Sequence, residues 1–192
     1  MADTYDLIIR GGTVMTPSGR TATDVGVRDG RITVLGDLGS ADAAEVFEAG
    51  GLHVLPGIID TQVHFREPGG EHKEDLESGT RAAVMGGVTG VFEMPNTNPL
   101  TTSAQALTDK IERAAGRAWC NHAFYMGGTA ENAAEMAGLE RTPGCCGVKV
   151  FMGSSTGNLL VENDDDLREV LRHGTRRVAV HAEDEPRLIE RK

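Results

Sequence analysis

Residues 56–69 read Pro-Gly-Ile-Ile-Asp-Thr-Gln-Val-His-Phe-Arg-Glu-Pro-Gly, and the reading of this stretch decides the fold. It stands at a change of pattern. Before it, short strand-like runs are joined by tight turns; after it, an apolar strand, a loop and an amphipathic helix recur about every 30 residues. Within the stretch, Asp60, Gln62 and His64 lie two apart on a strand, a spacing that projects side chains to one face. Arg66 follows where the chain leaves that strand.

Upstream, strands are expected at Tyr5–Arg10, Asp24–Arg28 and Arg31–Leu35, with breaks at Gly11-Gly12 and Gly50-Gly51. Asp29-Gly30 predicts a type I′ hairpin turn, which needs positive φ at both central residues. Downstream, strand-like runs fall at Gly57–His64, Val88–Glu93, Trp119–Tyr125, Val148–Met152 and Arg177–His181. Helical patterns occupy Glu74–Met85, ending at Gly86-Gly87; Ser103–Ala115, with Ser103 as N-cap; and Asp164–Arg172, before Gly174.

Alternation at this period implies right-handed crossovers and parallel strands, in a (β/α) barrel or an open doubly wound sheet. The barrel is favoured because His64, Asn96, Lys149 and His181 all stand at strand ends, and in a parallel barrel those ends share one rim. The expected architecture is α/β: a partial (β/α)₈ TIM-like barrel of about five βα units over 56–192, preceded by part of a small β-sandwich domain over 1–55. Five units cannot close an eight-stranded barrel, so further sequence or a complementary chain is expected to cover the open edge.

Bulk properties exclude several classes. The 192 residues are 39% hydrophobic, enough for a sizeable core. A formal charge of -10, with no compensating basic block, argues against a nucleic-acid partner. Cys120, Cys145 and Cys146 form no Cys-x-x-Cys pair, so neither a disulfide framework nor a zinc knuckle is expected. No signal-peptide pattern and no run of about 20 apolar residues is present, so a cytoplasmic protein without a membrane partner is the expectation.

Four motifs occur in order, each at a strand end: Pro-Gly-Ile-Ile-Asp-x-x-x-His-Phe-Arg-Glu-Pro-Gly at 56–69, Met-Pro-Asn-Thr-Asn-Pro at 94–99, Gly-Val-Lys-Val-Phe-Met at 147–152 and Val-His-Ala-Glu-Asp at 180–184. In these the chain resembles the N-terminal portion of a dihydroorotase of the amidohydrolase superfamily. The resemblance implies a β-sandwich built from both chain ends beside a (β/α)₈ barrel, and one or two zinc ions. His64 and His181 would be metal ligands and Lys149, as a carbamate, would bridge two ions. Gln62 stands where such enzymes commonly carry His, and its amide oxygen is a poorer zinc donor than imidazole. Arg66 and Asn96 would bind the carboxylate of an acidic cyclic ureide.

The implied reaction interconverts L-dihydroorotate and N-carbamoyl-L-aspartate in pyrimidine synthesis. The family's general acid/base Asp is expected beyond Lys192, so residues 1–192 alone are expected to be inactive. Hydantoinase and allantoinase rank as weaker alternatives, since their motifs lack the Arg66-type clamp. From a different class, a non-catalytic dihydroorotase-like subunit supporting aspartate transcarbamoylase is motivated by Gln62; a homo-oligomer is also compatible. The residue types make independent chemical sense: imidazole and an anionic oxygen ligand suit zinc, and guanidinium matches carboxylate bidentately.

Each residue also has a plain structural alternative. Lys149 could reach solvent from an edge strand, Arg66 could pair with Glu67 or Glu71, Asn96 could be a turn residue and His181 could pair with Glu183. The glycines of 86–90 form a helix end rather than a phosphate loop, and Asp164-Asp165-Asp166 reads as a helix start rather than a calcium loop. Cys145 and Cys146 are not expected to bond to each other.

Overall fold

The computed structural model describes residues 4–153 and 159–191. The chain divides into two compact units, Met1–Pro56 and Gly57–Lys192.

The first unit is a mixed sheet of β1 (Tyr5–Thr16), β2 (Gly19–Arg28), β3 (Arg31–Gly36), β4 (Ala43–Glu48) and β5 (His53–Val54). The order is β3-β2-β1-β4, with β5 also pairing β1. The β2–β3 turn is the expected two-residue hairpin, with φ of 51° at Asp29 and 68° at Gly30. Gly11-Gly12 does not end the first strand. It forms an irregularity inside β1, where the register against β2 shifts between Ile9 and Gly12. The buried Asp24 side chain holds this site, accepting from the Gly11 N–H at 2.8 Å and the Leu38 N–H at 2.9 Å.

The Leu38 and Gly11 N–H groups keep the Asp24 carboxyl below the ordinary carboxylate range. A depressed folded value means that its stabilisation is complete above the unfolded value of about 3.9 and is lost as pH falls through the folded value. Asp24→Asn is therefore expected to destabilise by about 1–2 kcal/mol at pH 7. The gap to wild type should close below pH 4, as thermal melts at pH 7 and pH 3 would show.

The second unit is a parallel sheet of β6 (Ile58–Val63), β7 (Val88–Glu93), β8 (Asn121–Gly127), β9 (Cys145–Phe151) and β10 (Val178–His181), in the order β10-β9-β8-β7-β6. Neighbouring strands follow chain order, which is the half-barrel pattern expected from the strand–helix period. Helices α1 (Leu76–Met85), α2 (Ala104–Ala114), α3 (Met136–Leu139), α4 (Asp164–His173) and α5 (Glu185–Glu190) lie between or after the strands. Local chemistry sets their ends. Asp75 and Ser78 form a reciprocal capping box on α1, Ser103 caps α2, and Asn163 caps α4 with Asp164–Asp166 in its first turn.

The core joins helices to one sheet face: Leu76 and Leu107 pack with Val91, Phe124, Met126, Val148, Val150 and Val170. Beyond β4 and β5 of the first unit, which were not expected, two parts of the second unit differ from expectation. β9 begins at Cys145, because the buried Cys145 and Gly147 pair with Phe124 and Tyr125 of β8 and continue the ladder below Val148. The β8–β9 connection contains a 3₁₀ turn at Ala133–Glu135 and the one-turn α3, which bury Ala133 and Met136 and half-bury Leu139. All three cysteines are free. No helix among the described residues is long and apolar enough to cross a membrane.

Candidate active site at the strand ends

His64 follows β6, Asn96 lies three residues past β7, Lys149 sits within β9 and His181 ends β10. All four are thus at or near the C-terminal ends of parallel strands. At one side of this rim, His64 Nδ1 lies 2.9 Å from Asn96 Oδ1. With a carbonyl oxygen as acceptor, Nδ1 carries the proton and Nε2 keeps the lone pair that a metal requires. Burial and then the Arg66 charge hold the half-buried His64 imidazole below its usual range, which favours the neutral form.

At the other side, Ala179 of β10 pairs with Lys149 and His181 pairs with Phe151. Residues two apart share a face, so Lys149, Phe151 and His181 belong to one side of the sheet. Lys149 is 3% exposed, yet its ammonium has no ion pair or hydrogen bond among the described residues; it lies 5.0 Å from the Phe151 ring centroid. Burial pushes its amine down from the ordinary lysine range. This is not the solvent-reaching edge lysine of the plain alternative. His181 Nε2 does approach Glu183 Oε2 at 3.3 Å, a contact that suits either an ion pair or the orientation of a ligand ring.

Gln62 departs from simple alternation. Pairing of β6 with β7 is irregular between Asp60 and Val63, and the Asp60 carboxylate turns back to accept from the Gln62 N–H at 3.0 Å. Both residues are exposed. Among the described residues no group of three His, Cys, Asp or Glu side chains gathers as a metal cluster. The donor chemistry still fits a divalent ion: an amine and an imidazole on the neighbouring strands β9 and β10, and a neutral imidazole with a free Nε2 after β6 at the opposite edge of the sheet.

Arg66 makes no ion pair among the described residues, although acidic residues flank it in sequence. Glu67 instead accepts from Arg117, and Glu71 accepts from the Gly69 N–H at 2.9 Å. Arg66 and Asn96 line a cleft of about 230 Å³ together with Gly69, Gly70, Lys73 and Asn98. A groove of about 340 Å³ along α1, beside Arg81 and Met85, contains none of the candidate residues.

Two further acidic side chains take partners that the sequence did not suggest. Glu93 at the end of β7 forms a buried ion pair with Lys110 of α2, whose Nζ also donates to the Met94 carbonyl at 3.0 Å. Burial pushes the Glu93 carboxyl up to about 7 against the pull of Lys110. The second, Glu67, ties the Arg66 loop to the helices. Lys110 was legible in principle: with Leu107, Ile111 and Ala114 it lies on the 3-4-7 face of α2, where a charge must find a buried partner.

Residues 51–144 match a family model described as dihydro-orotase-like, and the proteins this chain is similar to include allantoinases and hydantoinases. The chain is 42% identical over 189 residues to an allantoinase from Rubrobacter xylanophilus, covering 93% of this chain and 40% of that protein. It is 34% identical over 184 residues to an allantoinase from Deinococcus radiodurans, covering 93% and 41%. An L-hydantoinase (dihydropyrimidinase) from Arthrobacter aurescens superposes with a TM-score of 0.85 at 29% identity, covering 95% of this chain and 42% of that one. The chain therefore spans about two fifths of the length of these relatives.

These names favour the ureide hydrolases that the sequence ranks second, while the family model retains the dihydroorotase likeness. The physical reason is that His64, Lys149 and His181 are residue types common to many metal sites. They carry no information about which ring is opened.

Proposed function

We propose that this chain supplies the first five strand units of a metal-dependent hydrolase that opens the amide bond of a cyclic ureide, with allantoin- or hydantoin-type rings as substrates. The observation that carries the reading is the buried Lys149 on the same sheet face as His181, with His64 presented from the far edge strand. His64, His181 and Lys149 as a carbamate would hold one or two zinc ions, with Gln62 as a weaker donor. The bound metal supplies a polarised carbonyl and a water of lowered pKa. The chain's own residues do the rest. Asn96 fixes the tautomer of His64, the apolar surroundings of Lys149 favour a neutral amine able to take up carbon dioxide, and Glu183 orients His181.

The experiment is to purify the protein with its complete barrel, measure bound metal, and follow ring opening of allantoin, hydantoin and dihydroorotate. A well-folded sample with neither metal nor turnover would reject the enzyme reading in favour of a non-catalytic subunit, with aspartate transcarbamoylase as the partner to test.

Dihydroorotate is the second reading, favoured by Arg66 facing the cleft without an ion pair among the described residues. A charge-assisted bidentate contact is worth about 1.5–3 kcal/mol, so Arg66→Ala is expected to cost about 10- to 100-fold with dihydroorotate. Neutral hydantoin should lose less than about threefold, because it offers no carboxylate to the guanidinium. Equal losses on both would remove this second reading.

A further inference from the structure

Arg66 stands in an uncommon backbone state: its φ is 62°, in the left-handed region that non-glycine residues rarely occupy. Such a conformation is strained and persists only where the surroundings over-determine it. The structure shows what does so. Directly after Arg66, Glu67 turns inward and is 3% exposed. Its Oε1 accepts from Arg117 Nη1 at 2.8 Å and its Oε2 from Arg117 Nη2 at 3.2 Å, a two-point fork. The same Oε2 accepts from the Leu76 N–H at 2.9 Å, one of the unpaired donors at the start of α1. Arg113 Nη1 stands 3.8 Å from Oε1.

Two loop contacts complete the brace. The Asn98 N–H donates to the Pro68 carbonyl at 2.9 Å, fastening the loop after β7 to the loop after β6. Gly70 lies so close beneath Arg66 that a Cβ there would sit 2.9 Å from the Arg66 carbonyl oxygen. Glu67 is thus the anchor by which the start of α1 and the end of α2 hold the backbone that presents Arg66.

We propose that Glu67 and Arg117 are positioning residues that set the charge selectivity of the cleft, by holding Arg66 in its left-handed conformation toward an anionic ring substituent. The inference rests on the reading of Arg66 as a carboxylate clamp. It adds that the clamp is set by an ion pair outside the cleft, between the buried Glu67 and the half-exposed Arg117. A brace for general stability would affect all substrates alike. A brace for Arg66 affects charged ones only.

The test uses the protein with its complete barrel and three variants, Arg117→Gln, Arg117→Lys and Glu67→Gln, with Arg66→Ala as control. Each is first checked for folding by circular dichroism. Arg117→Gln is expected to raise KM for dihydroorotate about tenfold with kcat within about twofold, the pattern of lost uniform binding, while KM for neutral hydantoin stays within about twofold. Arg117→Lys, which keeps the charge but loses the fork, should recover part of the loss. Calorimetric binding of dihydroorotate and of hydantoin provides the same comparison without turnover, and Glu67→Gln should reproduce the charge-selective loss there.

Parallel losses on both ligands, or no loss on either, would overturn the positioning role. If Arg66→Ala itself shows no preference for the charged ligand, the clamp reading falls and this inference with it. A selective Arg66→Ala beside an unselective Arg117→Gln overturns the brace alone.

Discussion

Lys149→Met is expected to raise the stability of the protein while abolishing ring opening and metal binding. The two effects have one cause. A lysine that is 3% exposed and has no ion pair or hydrogen bond among the described residues is costly to keep charged, and the Phe151 ring 5.0 Å away offsets only part of that cost. Methionine fills the same volume without charge, so a gain of about 1–3 kcal/mol is expected. If Lys149 as a carbamate helps to hold the metal, its loss removes the polarisation and water activation the ion supplies, several kcal/mol of barrier or about 10³-fold or more in rate. Denaturant melts, metal content and turnover on one preparation decide the matter. A variant that loses stability but keeps metal and activity would return Lys149 to a structural role.

That trade is characteristic of residues kept for chemistry rather than for packing. It also explains why much of this molecule was readable from its sequence. The parallel half-barrel followed from the strand–helix period, and the helix ends followed from side chains that have few other uses there: Ser103 as the α2 cap, Gly86-Gly87 after α1 and Asp164–Asp166 in the first turn of α4. Lys149 stood out because burial makes a charged residue on an apolar strand expensive, whereas His181 was picked out by its motif at a strand end.

What stayed hidden is long-range pairing between charges. Glu67 in Arg-Glu-Pro-Gly looks like any loop acid, and Arg117, fifty residues away, like any helix-end arginine; only their approach at 2.8 Å gives either a role. The irregular end of β6 was equally hidden. A strict two-residue alternation would put Asp60, Gln62 and His64 on one face, but the shift of register between Asp60 and Val63 depends on the partner strand. The particular substrate is the least legible feature, since on the proposed reading the rim motifs would serve amide activation of any ring, and the choice of ring would fall to loop contacts such as those of Arg66.

Lys110→Ala is expected to be the most destabilising single substitution of those considered, at about 3–5 kcal/mol, because it leaves Glu93 buried without its partner. The pair ties α2 to the rim: Lys110 also holds the Met94 carbonyl, and the Met94 N–H donates to Val63 O at 2.9 Å, next to His64. Replacing both charges together, as in Glu93→Gln/Lys110→Met, removes the orphaned carboxylate and should stay within about 2 kcal/mol of wild type. The sign with pH separates this account from simple cavity formation. Burial already pushes Glu93 up to about 7 with Lys110 present, and losing that ammonium pushes it higher still. A carboxyl raised in the folded state binds more protons there than in the unfolded chain, so stability falls as pH climbs from the unfolded value of about 4.3 through the raised one. The single variant should therefore resist urea better at pH 5.5 than at pH 8. A loss that does not change between those two values would mean that packing, not the stranded charge of Glu93, carries the cost.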